Sequence, residues 1–92
     1  DPWSGGRQMT AHFNDLRNHI LPVQSALGMQ FGKAVGYAHG MRMKGHDDGL
    51  VVCVVGDGTT AESDFHEGMN GAAVLKVPVL IEVTDNGVAI SV

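Results

Sequence analysis

The chain has 92 residues, 43% of them hydrophobic and 17% charged, with a formal net charge of −4 at pH 7. This length and composition are typical of a globular segment with one modest hydrophobic core. The acidic balance argues against a nucleic-acid-binding protein. The longest apolar run, Leu50 to Val55, is too short to cross a membrane.

The single cysteine and the polar start of the chain give an expectation about compartment. Cys53 lies inside the apolar run and has no second cysteine to pair with, which fits a reducing compartment. The first residues are polar and glycine-rich, so we expect no secretory signal peptide. The chain lacks an initiating methionine, and we expect residues 1–92 to be part of a single domain of a longer protein.

The first predicted helix runs from Gln24 to about Lys44, after an irregular segment that ends near Pro22. Apolar residues recur in it at helical spacing: Leu27, Phe31, Ala34, Ala38 and Met41. Glycines recur at every fourth position: Gly28, Gly32, Gly36 and Gly40. Because a glycine costs a helix about 0.5–1 kcal/mol relative to alanine, we expect another helix to pack closely on this glycine face, within the domain or on a partner subunit. The alternative is a glycine-rich helix of low stability.

A strand, a helix and a second strand are predicted in the second half of the chain. Leu50–Val55 has the continuous apolar pattern of a strand covered on both faces in a parallel sheet. Thr59 to Glu62 matches a capping box, which predicts a helix over Ala61–Lys76. Pro78 precedes a second apolar strand, Val79–Val83. The expected inward residues of the helix are Phe65, Met69, Ala72 and Ala73. The unit is therefore a βαβ crossover, and the predicted fold class is α/β with a parallel sheet.

Polar residues follow both predicted strands. Gly56-Asp57-Gly58 follows the first strand, and Asp85-Asn86 follows the second. Because ligands of parallel sheets bind beyond the carboxyl ends of the strands, we expect both groups at one edge. Carboxylate and amide oxygens suit Mg²⁺, which also binds phosphate oxygens. A glycine-flanked turn that leads into a helix suits a phosphate. For the triplet alone, a tight turn whose aspartate caps the helix is the alternative.

The two motif halves resemble a known cofactor signature. The GDG triplet with Asp85-Asn86 is similar to the thiamine diphosphate motif, in which GDG is followed at similar spacing by two asparagines. The similarity extends to a glycine–arginine–glutamine–methionine stretch before His12, to Ser25 and Leu27, and to Ala34-Val35-Gly36. The string from Gly56 to Ser91 resembles the alpha subunit of 2-oxo acid dehydrogenases, the decarboxylating component of the pyruvate and branched-chain complexes.

This resemblance implies a role for each matching residue. Asp57 and Asn86 would bind Mg²⁺ through side-chain oxygens, and Val88 would bind it through its backbone carbonyl. Gly58 and Thr59 would donate backbone N–H groups to the diphosphate. Ser25 and Leu27 would contact the aminopyrimidine ring of thiamine diphosphate, mainly through backbone groups. Thus the resemblance implies a thiamine diphosphate-binding fold, with thiamine diphosphate and Mg²⁺ as cofactors.

Two positions depart from the family pattern. Asp85 replaces the first asparagine of the pair, which adds negative charge but leaves the second asparagine, the family's metal ligand, in place. Val88 replaces a residue that is often aromatic, and a backbone ligand tolerates that change.

The histidines His12, His19 and His66 have no partner carboxylate or nucleophile placed by the sequence, so structural or surface roles are favoured for them. The catalytic residues are therefore unknown from these residues.

The resemblance also implies partners and a reaction. The glutamate that activates the cofactor in this family belongs to a beta subunit or to a fused beta-like half. The expected reaction is oxidative decarboxylation of a 2-oxo acid and acyl transfer to the lipoyl acyltransferase component. Pyruvate, 2-oxoisovalerate and acetoin-like compounds are all candidate substrates, and the resemblance weakly favours branched-chain acids. The expected assembly is a heterotetramer or a dimer of fused chains, in the cytoplasm or the mitochondrial matrix. The alternatives are a transketolase-like thiamine enzyme and a non-catalytic interaction module.

Overall fold

The computed structural model describes residues 2–90, in which two helices alternate with two strands. Helix α1 spans Met29–Met43, strand β1 spans Val51–Gly56, helix α2 spans Ser63–Leu75 and strand β2 spans Val79–Thr84. Two short 3₁₀ helices, Leu16–Asn18 and Asp57–Ala61, precede α1 and α2 respectively. Among the described residues, no helix is long and apolar enough to span a membrane.

The two strands form a parallel sheet, as predicted. Val51 pairs with Val79 at the start of the sheet, and Gly56 pairs with Thr84 at its end. This register places the residues that follow Gly56 and Thr84 at the same edge of the sheet. The α/β fold with a βαβ core is therefore confirmed, and the strands end one residue later than the sequence predicted.

The core lies between the helices and one face of the sheet. Phe31 and Ala34 of α1 pack with Cys53 and Val55 of β1, and Phe65 of α2 packs against this cluster. The rings of Phe31 and Phe65 meet edge to face, with centroids 4.8 Å apart. Burial raises the pKa of the Cys53 thiol, so this cysteine stays protonated at neutral pH.

Only one face of the sheet is covered by the described residues. Val52, Val54 and Leu80 are 52%, 54% and 52% exposed, although the apolar run predicted a strand covered on both faces. The prediction fails within residues 2–90 because α1 and α2 both contribute side chains to the face that carries Cys53 and Val55. We refer to Val52, Val54 and Leu80 as the open sheet face.

The close contact between α1 and α2 is made at Gly68. A Cβ atom at Gly68 would lie 2.6 Å from the Cβ atom of Phe31, which is fully buried. By contrast, a Cβ atom at Gly32, Gly36 or Gly40 would have no heavy atom within 4 Å apart from its chain neighbours and the adjacent backbone of α1. The three glycines of this face that lie within α1 therefore pack on no helix among residues 2–90, whereas Gly28, just before α1, lies close to Asp64 of α2. Contact of the glycine face with a partner subunit stays a prediction.

The first helix begins five residues later than the sequence predicted. Gly28 has a φ of +84° and occupies the position before the first turn of α1. This left-handed backbone conformation cannot continue a right-handed helix. The helix prediction from Gln24 to Gly28 was therefore wrong, and Leu27 lies in the loop before α1.

The second helix also begins later, because its capping box does not form. Asp57–Ala61 forms a 3₁₀ helix, and Glu62 precedes α2 without a side-chain capping bond. Thr59 is 3% exposed, in the core rather than at a cap. The inward stripe of α2 differs as well. Met69 and Ala73 are exposed, whereas Phe65, Gly68 and Ala72 face inward.

Candidate metal and diphosphate site

An open depression of about 550 Å³ lies at the carboxyl ends of β1 and β2. It is lined by residues 56–59 at the end of β1, by residues 84–86 and 88–90 at the end of β2, and by Leu27 from the loop before α1. Both halves of the motif thus line one cavity, as the parallel register requires. This is the position where ligands of parallel sheets bind.

The first half of the site is the 3₁₀ turn that begins at Asp57. The Thr60 hydroxyl donates to the Asp57 backbone carbonyl at 2.7 Å, which holds the turn closed. The Asp57 carboxylate is partly buried, and no hydrogen bond or ion pair engages it within residues 2–90. A partly buried carboxylate without a protein partner is suited to a cation or a donor from a ligand.

The second half of the site is a loop that its own side chains stabilise. The backbone N–H of Gly87 donates to Asp85 Oδ1 at 2.8 Å, and that of Val88 donates to Asn86 Oδ1 at 3.0 Å. These are Asx turns, a local use of short carboxylate and amide side chains. An amide oxygen has two lone pairs, so Asn86 Oδ1 has one left for a cation.

One hydrogen bond joins the two halves, and they approach each other closely at Gly58. The Thr84 hydroxyl donates to the Val55 backbone carbonyl at 2.8 Å across the sheet. A Cβ atom at Gly58 would lie 2.9 Å from the Cβ atom of Ala89. Only glycine fits at position 58 without displacing the loop that carries Ala89.

Most of the residues named from the sequence line this depression. They are Leu27, Asp57, Gly58, Thr59, Asn86 and Val88. Ser25 is exposed and is not among the lining residues. Sequence reasoning missed Thr84, Ala89 and Ile90, which also line it. Thr84 could have been predicted as a site residue from the sequence, because it directly precedes Asp85 at the end of a predicted strand.

The donor set fits a hard cation that brings further ligands with it. Within residues 2–90 there is no group of three or more histidine, cysteine, aspartate or glutamate side chains that would enclose a metal. The depression instead offers the carboxylates of Asp57 and Asp85 and the amide of Asn86. Mg²⁺ is commonly held by one or two carboxylates together with phosphate oxygens. The residues therefore fit Mg²⁺ bound with a diphosphate.

The histidines stand apart from this depression. His12, His19 and His66 are not among its lining residues. His12 Nδ1 lies 2.9 Å from the Thr10 carbonyl, and the His66 ring meets Phe65 edge to face at 5.5 Å. These contacts agree with the surface and structural roles that the sequence favoured.

The sequence comparisons define the class of protein. The family model described as dehydrogenase E1 component matches residues 1–92, the whole chain. The chain therefore belongs to the dehydrogenase E1 component family, which confirms the resemblance drawn from its motifs.

Individual relatives show which dehydrogenase subunits the chain is similar to. The chain is 45% identical over 92 residues to the 2-oxoisovalerate dehydrogenase subunit alpha of Bacillus subtilis, covering 100% of this chain and 28% of that protein. It is 36% identical over 86 residues to the mitochondrial 2-oxoisovalerate dehydrogenase subunit alpha of Mus musculus, covering 94% of this chain and 19% of that protein. The chain is also 40% identical over 86 residues to the mitochondrial 2-oxoisovalerate dehydrogenase subunit alpha 2 of Arabidopsis thaliana. The chain thus spans less than a third of these relatives.

Proposed function

We propose that residues 1–92 form part of a thiamine diphosphate-binding domain in an enzyme that oxidatively decarboxylates a 2-oxo acid and passes the acyl group to a lipoyl domain. The observation that carries this proposal is the shared depression, which Asp57 and Asn86 both line at the carboxyl ends of parallel strands. Membership of the dehydrogenase E1 component family supports it.

In this proposal the two strand ends divide the work of holding the cofactor. Asp57 and Asn86 bind Mg²⁺ through side-chain oxygens, and Val88 adds its backbone carbonyl. Because Asp57 neutralises only part of the charge of the metal, the diphosphate completes the site. Gly58 and Thr59 donate backbone N–H groups to the diphosphate. When bound, thiamine diphosphate supplies the nucleophilic carbon and the electron sink for decarboxylation.

Apolar residues of the depression serve the organic part of the cofactor. Leu27 and Val88 are exposed in the described chain, at 54% and 59%, and both line the depression. We propose that Leu27, together with Ser25 on the same loop, contacts the aminopyrimidine ring. Covering Leu27 and Val88 with that ring removes apolar surface from water, which favours binding.

We propose 2-oxoisovalerate, a branched-chain 2-oxo acid, as the substrate. The named relatives from three organisms are 2-oxoisovalerate dehydrogenase alpha subunits, and the sequence itself leaned to branched-chain acids.

The direct test uses the full-length protein with its partner subunit. We expect thiamine diphosphate to bind only with Mg²⁺, and 2-oxoisovalerate to reduce an artificial electron acceptor faster than pyruvate or an acetoin-like substrate. Faster turnover of pyruvate would show that pyruvate, rather than 2-oxoisovalerate, is the substrate. Cofactor binding without activity on any 2-oxo acid would favour a transketolase-like enzyme. Absence of cofactor binding would favour a non-catalytic interaction module.

The proposed enzyme works with partners. The activating glutamate comes from a beta subunit or a fused beta-like half, and the acyl group goes to the lipoyl acyltransferase component. We propose an αβ pair doubled to a heterotetramer, or a dimer of fused chains. The proposed location is the cytoplasm, or the mitochondrial matrix in a eukaryote, since the relatives from Mus musculus and Arabidopsis thaliana are named as mitochondrial.

Replacing Gly36 tests whether the glycine face is part of this assembly. A Cβ atom at Gly36 would have no heavy atom within 4 Å apart from its chain neighbours and the adjacent backbone of α1. We therefore expect Gly36→Leu to leave the subunit folded but to weaken assembly by about 1–3 kcal/mol through overpacking. Gly36→Ala should give a smaller loss, although it favours the helix. Sedimentation velocity of the full-length assembly measures both variants. An unchanged oligomer in Gly36→Leu would remove the glycine face from the interface.

A further inference from the structure

We infer that Thr84 is a positioning residue of the metal site. Thr84 holds the two strand ends at the separation that Asp57 and Asn86 need to share one cation. This inference rests on the proposed function, because it assumes that both residues bind Mg²⁺. It assigns a role to a residue that the cofactor motif leaves out.

The evidence is a hydrogen bond between the strands at the edge of the site. The Thr84 hydroxyl donates to the Val55 backbone carbonyl at 2.8 Å. Thr84 pairs with Gly56 in the last register position of the sheet, and it lines the depression. The bond therefore joins the residue just before the Gly56-Asp57-Gly58 turn to the residue just before the Asp85-Asn86 loop.

The position of this bond gives it influence over the metal ligands. Beyond Gly56 and Thr84 the ladder of the sheet ends, and the chain continues as a 3₁₀ turn on one side and Asx turns on the other. Each half is ordered by its own local bonds, so its distance from the other half is set where the strands end and where Gly58 lies close to Ala89. A cation that needs a ligand from each half is sensitive to that distance, because Mg²⁺ tolerates little departure from octahedral geometry.

The test compares Thr84→Val with Thr84→Ser in the full-length protein with its partner subunit. Valine keeps the branched shape without the hydroxyl, and serine keeps the hydroxyl. Thiamine diphosphate is kept at a fixed concentration that saturates the protein when Mg²⁺ is in excess. The measurement is the Mg²⁺ concentration at which half of the maximal thiamine diphosphate binding is reached. We expect this concentration to rise about threefold to tenfold in Thr84→Val, the equivalent of one ordinary hydrogen bond. In Thr84→Ser it should stay within about twofold of the wild type.

The outcomes separate this inference from the proposed function. A wild-type protein that binds no thiamine diphosphate with Mg²⁺ would refute the proposed function itself. If the wild type binds but Thr84→Val needs no more Mg²⁺, Thr84 has no positioning role. The same conclusion follows if Thr84→Ser is as impaired as Thr84→Val. It also follows if Thr84→Val only lowers the unfolding temperature of the cofactor-free protein and leaves its Mg²⁺ requirement unchanged.

Discussion

Asp57→Asn is expected to lower the affinity for Mg²⁺–thiamine diphosphate by at least about 100-fold. Substitutions of groups that merely orient metal ligands already reduce metal affinity by about 10- to 100-fold, and in our proposal Asp57 is a ligand itself. Its carboxylate is engaged by no group within residues 2–90, so the change should disturb the fold little. Calorimetric titration of the full-length protein, with and without Mg²⁺, measures the effect.

Asp85→Asn is the matched control, because it makes the same chemical change at the other carboxylate of the depression. An asparagine oxygen can still accept the Gly87 N–H that Asp85 Oδ1 accepts at 2.8 Å, so the loop should keep its shape. We expect the affinity of this variant to stay within about threefold of the wild type. Equal affinity in Asp57→Asn and the wild type would remove Asp57 from the site.

Gly68→Ala is expected to destabilise the protein by about 1–3 kcal/mol, as overpacking of a core does. The new Cβ atom would lie 2.6 Å from the Cβ atom of Phe31, too close for any real contact. Phe31 is fully buried and meets Phe65 edge to face, so it cannot move aside without loosening the cluster that joins both helices to β1. Urea unfolding of the full-length protein gives the change in free energy.

Gly71→Ala serves as the control on the same helix. Its Cβ atom would make an ordinary contact, 3.7 Å from Val35 Cγ1. Because alanine favours a helix over glycine by about 0.5–1 kcal/mol, this variant should be slightly more stable than the wild type. If both variants behaved alike, the close approach at Gly68 would not be the cause of the loss.

The sheet and the candidate site at its edge were predictable because their signals are local. Two apolar runs separated by a helical stretch predicted parallel strands, and the register then brings Asp57 and Asn86 to one edge. The start of α1 was not predictable. Gly28 takes its left-handed conformation where a Cβ atom would lie 3.2 Å and 3.3 Å from those of Asp64 and Glu62. That close packing joins residues far apart in sequence.

The capping box failed for a related reason. Thr59 and Glu62 match the pattern, but the chain buries Thr59 and tightens into a 3₁₀ turn that the Thr60 hydroxyl closes. Tertiary burial outweighed a local preference of about 1 kcal/mol. At the site, the bond from Thr84 to Val55 spans the sheet, and it follows from the register of the strands rather than from the motif.

The open sheet face has a consequence for how such a polypeptide is produced. Val52, Val54 and Leu80 present an apolar surface, and each of the two strands has an unpaired edge within residues 2–90. Apolar strands with free edges are templates for pairing between chains. We therefore expect this segment, when expressed apart from the rest of its polypeptide, to collect in inclusion bodies. A charged residue at Val54 should raise its solubility in that setting.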